Sequence, residues 1–114
     1  MKDEIIIDGI TYVRKNNVKI ADNYSIVRTY SAGVHAGEIV SKDGKIVKLK
    51  NARRLWYWEG AASLSQLAME GVSKPDKCKF PCEVVSIELT EAIEIIPCTE
   101  KAIESIKGVA IWKT

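Results

Sequence analysis

The stretch YSIVRTYSAGVHAGEIVSKDGKIVKL, residues 24–49, decides the fold. Tyr24–Tyr30 is rich in β-branched and aromatic residues that alternate, which reads as a strand. Tyr24, Ile26 and Arg28 fall on one of its faces, Val27 and Thr29 on the other. Ser31-Ala32-Gly33 interrupts the pattern, and Val34-His35-Ala36-Gly37 continues it toward Glu38-Ile39-Val40. The two glycines permit a bulge, or a backbone that approaches a ligand closely. Asp43-Gly44 is the clearest hairpin signal in the chain, and it leads into Ile46–Leu49, where Ile46 and Lys48 alternate with Val47 and Leu49. Antiparallel pairing is therefore the expected frame.

Outward from this hairpin the pattern stays short and broken. Ile5-Ile6-Ile7, the turn signal Asp8-Gly9 and Ile10–Val13 read as a hairpin-like extension over residues 1–22, with a second turn at Asn16-Asn17 before Val18–Ile20. It fits an edge hairpin or an arm that pairs with another subunit. Downstream, Arg53–Trp58 reads as a strand, followed by a helix over 62–70 with Leu64, Leu67 and Ala68 on one face. Ser73–Asp76 is a loop, Glu83–Leu89 and Ala92–Ile96 are strands, and Pro97 is expected to stop the second. Thr99 N-caps a helix to about Lys107 with Ala102, Ile103 and Ile106 inward, and Val109–Trp112 makes a last strand. The expected fold is α+β: a curved or partly closed, mostly antiparallel sheet with two short helices, residues 23–114 forming one domain.

The bulk properties set limits on function. With 114 residues, 46% hydrophobic and 28% charged, the chain has the composition of a single globular domain and not of a disordered segment. A net charge of +2 with interspersed signs lacks the basic stripe of a general nucleic-acid binder, so any phosphate recognition should be local. Met1–Glu4 followed by a brief apolar run reads as lacking a signal peptide, and no apolar stretch reaches membrane-spanning length. Three cysteines, Cys78, Cys82 and Cys98, fit free thiols in a reducing cytoplasm. Together with His35, the single histidine, they could be counted as four zinc ligands, but the spacing of zinc sites is missing. No metal and no cofactor are expected.

Residues 49–71, LKNARRLWYWEGAASLSQLAMEG, carry the chemistry that is left. Paired arginines offer forked donors for phosphate oxygens. Aromatic faces stack on bases. Trp56 and Trp58 also share one face of a strand, so core packing and ligand stacking both remain open for them. Arg53 and Arg54 point opposite ways on a strand, so at most one faces a given pocket. Ser63 is also a natural helix cap. His35 lacks an evident acid–base partner, and no P-loop, dinucleotide fingerprint or nucleophile elbow is present, which argues against an enzyme. Cys98 precedes a helix but lacks a partner and reads as a buried thiol. Because one hairpin joins RTYSAGVHAG to this stretch, the two should lie in adjacent strands with their polar ends close together.

RTYSAGVHAG, KNARRLWYWEGAASLSQLAMEG, CKFPCEV and EAIEIIPCTEKAIESI, spread over residues 23–112, resemble a family of small proteins of tailed bacteriophages. They look like the anti-CBASS sponge proteins, which sequester cyclic di- and trinucleotide immune signals without cleaving them. The resemblance implies a non-enzymatic, cytoplasmic homo-oligomer, dimer or tetramer, with ligand pockets at its subunit interfaces. It implies no membrane and no long nucleic acid as partner. Ligand contacts carried over from it are Arg28, Tyr30, Ser31, His35, Arg53, Arg54, Trp56, Ser63 and Ser65, acting through arginine–phosphate bonds and base stacking. The competing class is a protein-interaction module that inhibits a host factor through the aromatic strand.

Overall fold

In the computed structural model, backbone is described for residues 4–7, 10–13 and 18–113, and side chains for residues 23–113. The alternating stretch forms β3 (Val18–Thr29), β4 (Val34–Asp43) and β5 (Ile46–Arg54), each antiparallel to the next. Ser31-Ala32-Gly33 is not a bulge within one strand but the reversal between β3 and β4. Thr29 holds it, with its N–H donating to the Gly33 carbonyl at 3.0 Å and its Oγ1 accepting from Ala32 N at 2.8 Å. The β4–β5 turn lies one residue later than its sequence signal, since Asp43 still pairs with Ile46 across Gly44 and Lys45.

β5 unites two segments that the sequence reading kept apart. Its register against β4 shifts near Asn51, which adopts φ 51, a left-handed conformation that Asn tolerates better than most residues. Before this irregularity Val47 and Leu49 face one core; after it Ala52 continues that face while Arg53 and Leu55 turn to the other. The strand ends at Arg54, so Trp56 and Trp58 are not alternate residues of a strand: Trp56 is exposed and Trp58 packs at the edge of the core. Gly37 on β4 lies opposite this point. A Cβ there would sit 2.9 Å from the Ala52 Cα, so the close approach of the two strands requires glycine.

β6 (Glu83–Leu89) adds to β5, and β7 (Ala92–Thr99) adds to the far side of β3. The order β7-β3-β4-β5-β6 makes an antiparallel sheet of five strands, while β1 (Glu4–Ile7) and β2 (Ile10–Val13) extend it through the first residues of β3. The turn signals at Asp8-Gly9 and Asn16-Asn17 lie outside the described residues. β6 and β7 are joined by Thr90-Glu91 but pair with different strands, so the sheet is open. It is nevertheless curled: Ile87 and Leu89 of one edge meet Ala92 and Ile95 of the other over Val27, Val47, Leu49 and Ala52. Pro97 does not stop β7. On an edge strand its missing N–H can face away from the ladder, and it stays in register with Ser25.

The opposite face is covered by α1 (Leu64–Glu70) and α2 (Glu100–Gly108). Leu67 and Ala68 of α1 and Ala102 and Ile106 of α2 are fully buried against Tyr24, Ile26, Ala36, Leu55 and Phe80. Each helix starts on a side-chain cap, Ser63 accepting from Gln66 N and Thr99 from Ala102 N. The Thr99 hydroxyl also donates to the Met69 carbonyl at 2.8 Å, tying the end of one helix to the start of the other. The last strand expected over Val109–Trp112 is reduced to a single bridge between Ile111 and Phe80. The result is an α+β domain with helices on one face and a curled second face.

Candidate functional site

The β4–β5 register brings the two chemistry-bearing segments together as their order along the chain implies. His35 pairs with Arg54 and Ala36 with Arg53, so the arginines face opposite sides of the sheet. Arg53 turns into the helix-side core. Its Nε donates to Pro81 O at 2.8 Å, Nη1 to Ile106 O at 2.8 Å and Nη2 to Phe80 O at 2.9 Å, with the guanidinium 5.5 Å from the Phe80 ring centre. A guanidinium so engaged is a strut between β5, the segment before β6 and the end of α2, not a ligand donor. Burial lowers its pKa from the usual guanidinium value.

The other sequence candidates separate into groups. Arg28 pairs with Glu94 at 2.9 Å across β3 and β7 on an exposed face. Tyr30 projects into solvent, and the Ser31 hydroxyl donates to Glu91 at 3.1 Å. Ser63 caps α1, and Ser65 is exposed in the first turn of that helix. Arg54 reaches the β3–β4 turn, its Nη1 donating to Ala32 O at 2.6 Å. Thus Arg54, His35 and the turn after Thr29 form one neighbourhood, while Ser63 and Ser65 belong to another part of the surface.

His35 lies on the curled face. It is 1% exposed, and neither ring nitrogen meets a hydrogen-bonding group of the described protein. Burial, helped by the nearby Arg54 charge, lowers its pKa to about 4, so it is neutral at pH 7. It lines a cavity of about 140 Å³ together with Ala52, Arg54, Pro81, Cys82, Val84 and Ile87.

Trp56 belongs to a second feature, which the sequence reading only half supplied. The segment around Lys79 runs between two others: Tyr57 and Lys79 exchange backbone hydrogen bonds of 3.3 and 2.7 Å, and Trp112 N donates to Phe80 O at 3.0 Å. Phe80 is driven inward and Lys79 outward. The Trp56 and Trp112 rings stack with centroids 5.2 Å apart and planes 13° from parallel. The Lys79 ammonium lies 5.4, 5.6 and 5.8 Å from the ring centres of Trp56, Tyr57 and Trp112. Trp56 remains 58% exposed and Trp112 38%, so the stack is a surface and not core. Lys79 and Trp112 were missed because their partner lies far away in sequence; the step from exposed Lys79 to buried Phe80 was the available hint.

Two of the three thiols are buried, and Cys82 is exposed. Burial pushes the Cys98 thiol up to about 12 and raises Cys78, so neither is a thiolate at neutral pH. Among the described residues no three His, Cys, Asp or Glu side chains converge to hold a metal ion, and no helix is long and apolar enough to cross a membrane. What the exposed features can do is stack, donate hydrogen bonds and attract negative charge. No curated protein and no solved structure matches the chain. A family model does match, over residues 22–106, and the chain belongs to that family, described as Domain of unknown function (DUF6948).

Proposed function

We propose that this protein is a non-catalytic binder of nucleotides. In the fuller form of the reading it is a phage-encoded sponge that withholds cyclic di- or trinucleotide defence signals inside the host cytoplasm. The observation that carries the binding reading is the exposed Trp56–Trp112 stack beside the Lys79 ammonium. A base gains by continuing such a stack, and a cation beside it favours an anionic ligand over a neutral aromatic one. The phage setting, the cyclic ligand and the homo-oligomer rest on the resemblance of the sequence motifs.

The test is a thermal-shift screen of cyclic di- and trinucleotides with linear nucleotides as controls. A ligand at a hundredfold excess over its dissociation constant should add roughly 2.7 kcal/mol of stability. The reading expects a shift for a cyclic class that is lost in Trp56→Ala; silence across the panel sinks it. A second reading, a module that docks on a host protein, draws on the same patch, because Trp56, Tyr57, Ile111 and Trp112 are all exposed large apolar residues. It predicts capture of a protein partner that depends on Trp56, with no nucleotide shift.

A further inference from the structure

We infer that β6 is the surface through which two copies of this chain pair, edge to edge about a twofold axis. The two edges of the sheet are unlike. β7 is blunted: it carries Pro97, its register against β3 shifts twice, and the β4–β5 turn lies against its start, with Ala92 N donating to Lys45 O at 3.0 Å. β6 has none of these devices. From Glu83 to Leu89 it holds neither lysine nor proline, and its register against β5 runs unbroken from the Leu89–Val47 pair to the Glu83–Arg53 pair. Among the described strands it pairs with β5 alone, so one row of its backbone N–H and C=O groups has no partner strand. Val85 is 83% exposed, more than any other large apolar side chain among the described residues, and Val84 beside it is exposed as well. An unguarded apolar edge of this kind is a template for a further strand.

The occupant is a second copy because this edge is compatible with itself. A twofold axis normal to the sheet makes the pairing antiparallel and keeps every side chain on its own face, so residues of opposite faces are never opposed. Glu83 and Glu88 fall on opposite faces, so the pairing does not set these two acids against each other. With Val85 on the axis, Val85 meets its own counterpart, Val84 meets Ser86 and Glu83 meets Ile87, with no like charges opposed. Glu88 already has Lys48 of β5 as its cross-strand neighbour. The outcome is one sheet continuous through both copies, with the helices of both on the same side.

This pairing is read from the strand edge and not from the nucleotide reading, and its test is run without nucleotide. Sedimentation equilibrium of the full chain should show dimers that dissociate on dilution. Val85→Lys, at a side chain too exposed to support the fold, should weaken the association about tenfold or more, while Ile93→Lys on the β7 edge should leave it unchanged. Opposed residues of antiparallel strands have Cα atoms about 4.5–5.5 Å apart, within disulfide reach. Val85→Cys in a Cys82→Ser chain should therefore give a covalent dimer under mild copper–phenanthroline oxidation, and Ile93→Cys in the same chain should not. A wild type that stays monomeric throughout the dilution series, association indifferent to Val85→Lys, or Val85→Cys and Ile93→Cys chains that behave alike on oxidation would each overturn the proposal.

Discussion

Because His35 is buried beside Arg54, its imidazole holds a proton only near pH 4, whereas in the unfolded chain it takes one near pH 6.5. Between those values the unfolded state binds more protons than the folded one. The stability associated with neutral His35 is therefore complete above pH 6.5 and is lost as the pH falls toward 4, by about 3 kcal/mol in full. Urea midpoints of wild type and His35→Leu at pH 7 and pH 5 should show a smaller acid loss in the variant. Equal losses would contradict the assignment. Arg53 gives a second prediction at this scale. Its three donated bonds end on main-chain carbonyls, so Arg53→Ala leaves buried acceptors unpaired and should cost about 3 kcal/mol by denaturant unfolding. Arg53→Lys should recover only part, since an ammonium lacks the fork. A variant within about 0.5 kcal/mol of wild type would refute the strut. The opposite orientation of the two arginines follows from strand geometry alone, so sequence could say that they differ. Which one is buried depends on the irregularity at Asn51, whose trace in the sequence is the shift from Val47 and Leu49 to Ala52.

Among the elements, the caps were the most legible. Thr99 and Ser63 sit where short polar residues precede a helical pattern, and both helices start there. Pro97 misled because a proline rule for central strands does not hold for β7, which among the described strands pairs with β3 alone. The Trp56–Trp58 alternation misled for a different reason. β5 has already ended at Arg54, and pairing with the segment around Lys79 then sets where each aromatic points. The connection after α1 also depends on distant contact. Gly71 ends α1 at φ 79, where an added Cβ would meet the side chain of Ser105 on α2, while the Ser105 hydroxyl accepts from Val72 N at 2.9 Å. Gly71→Ala should therefore lower stability by about 1–3 kcal/mol in thermal or chemical unfolding. An unchanged midpoint would show that the two helices are not locked at this point.

For the whole molecule, alternation and turn signals were enough to read an antiparallel sheet with two helices, because both depend on neighbours in the sequence. They could not show that both edges of the sheet curl over one face, which needs Ile87 and Leu89 to meet Ala92 and Ile95. The aromatic surface was hidden for the same reason: it is assembled from residues 56–57, 79 and 112. His35 and Arg54 were readable as neighbours through the hairpin, but the burial that silences the imidazole was not. The account of function therefore rests on a surface that only the folded chain possesses. The measurement that tests it most directly is gel filtration of the protein with the cyclic nucleotide giving the largest thermal shift, followed by denaturation and mass analysis of what the protein carried. The account predicts intact cyclic ligand co-eluting with wild type and absent from Trp56→Ala; a linearised product, or no retained nucleotide, would contradict it.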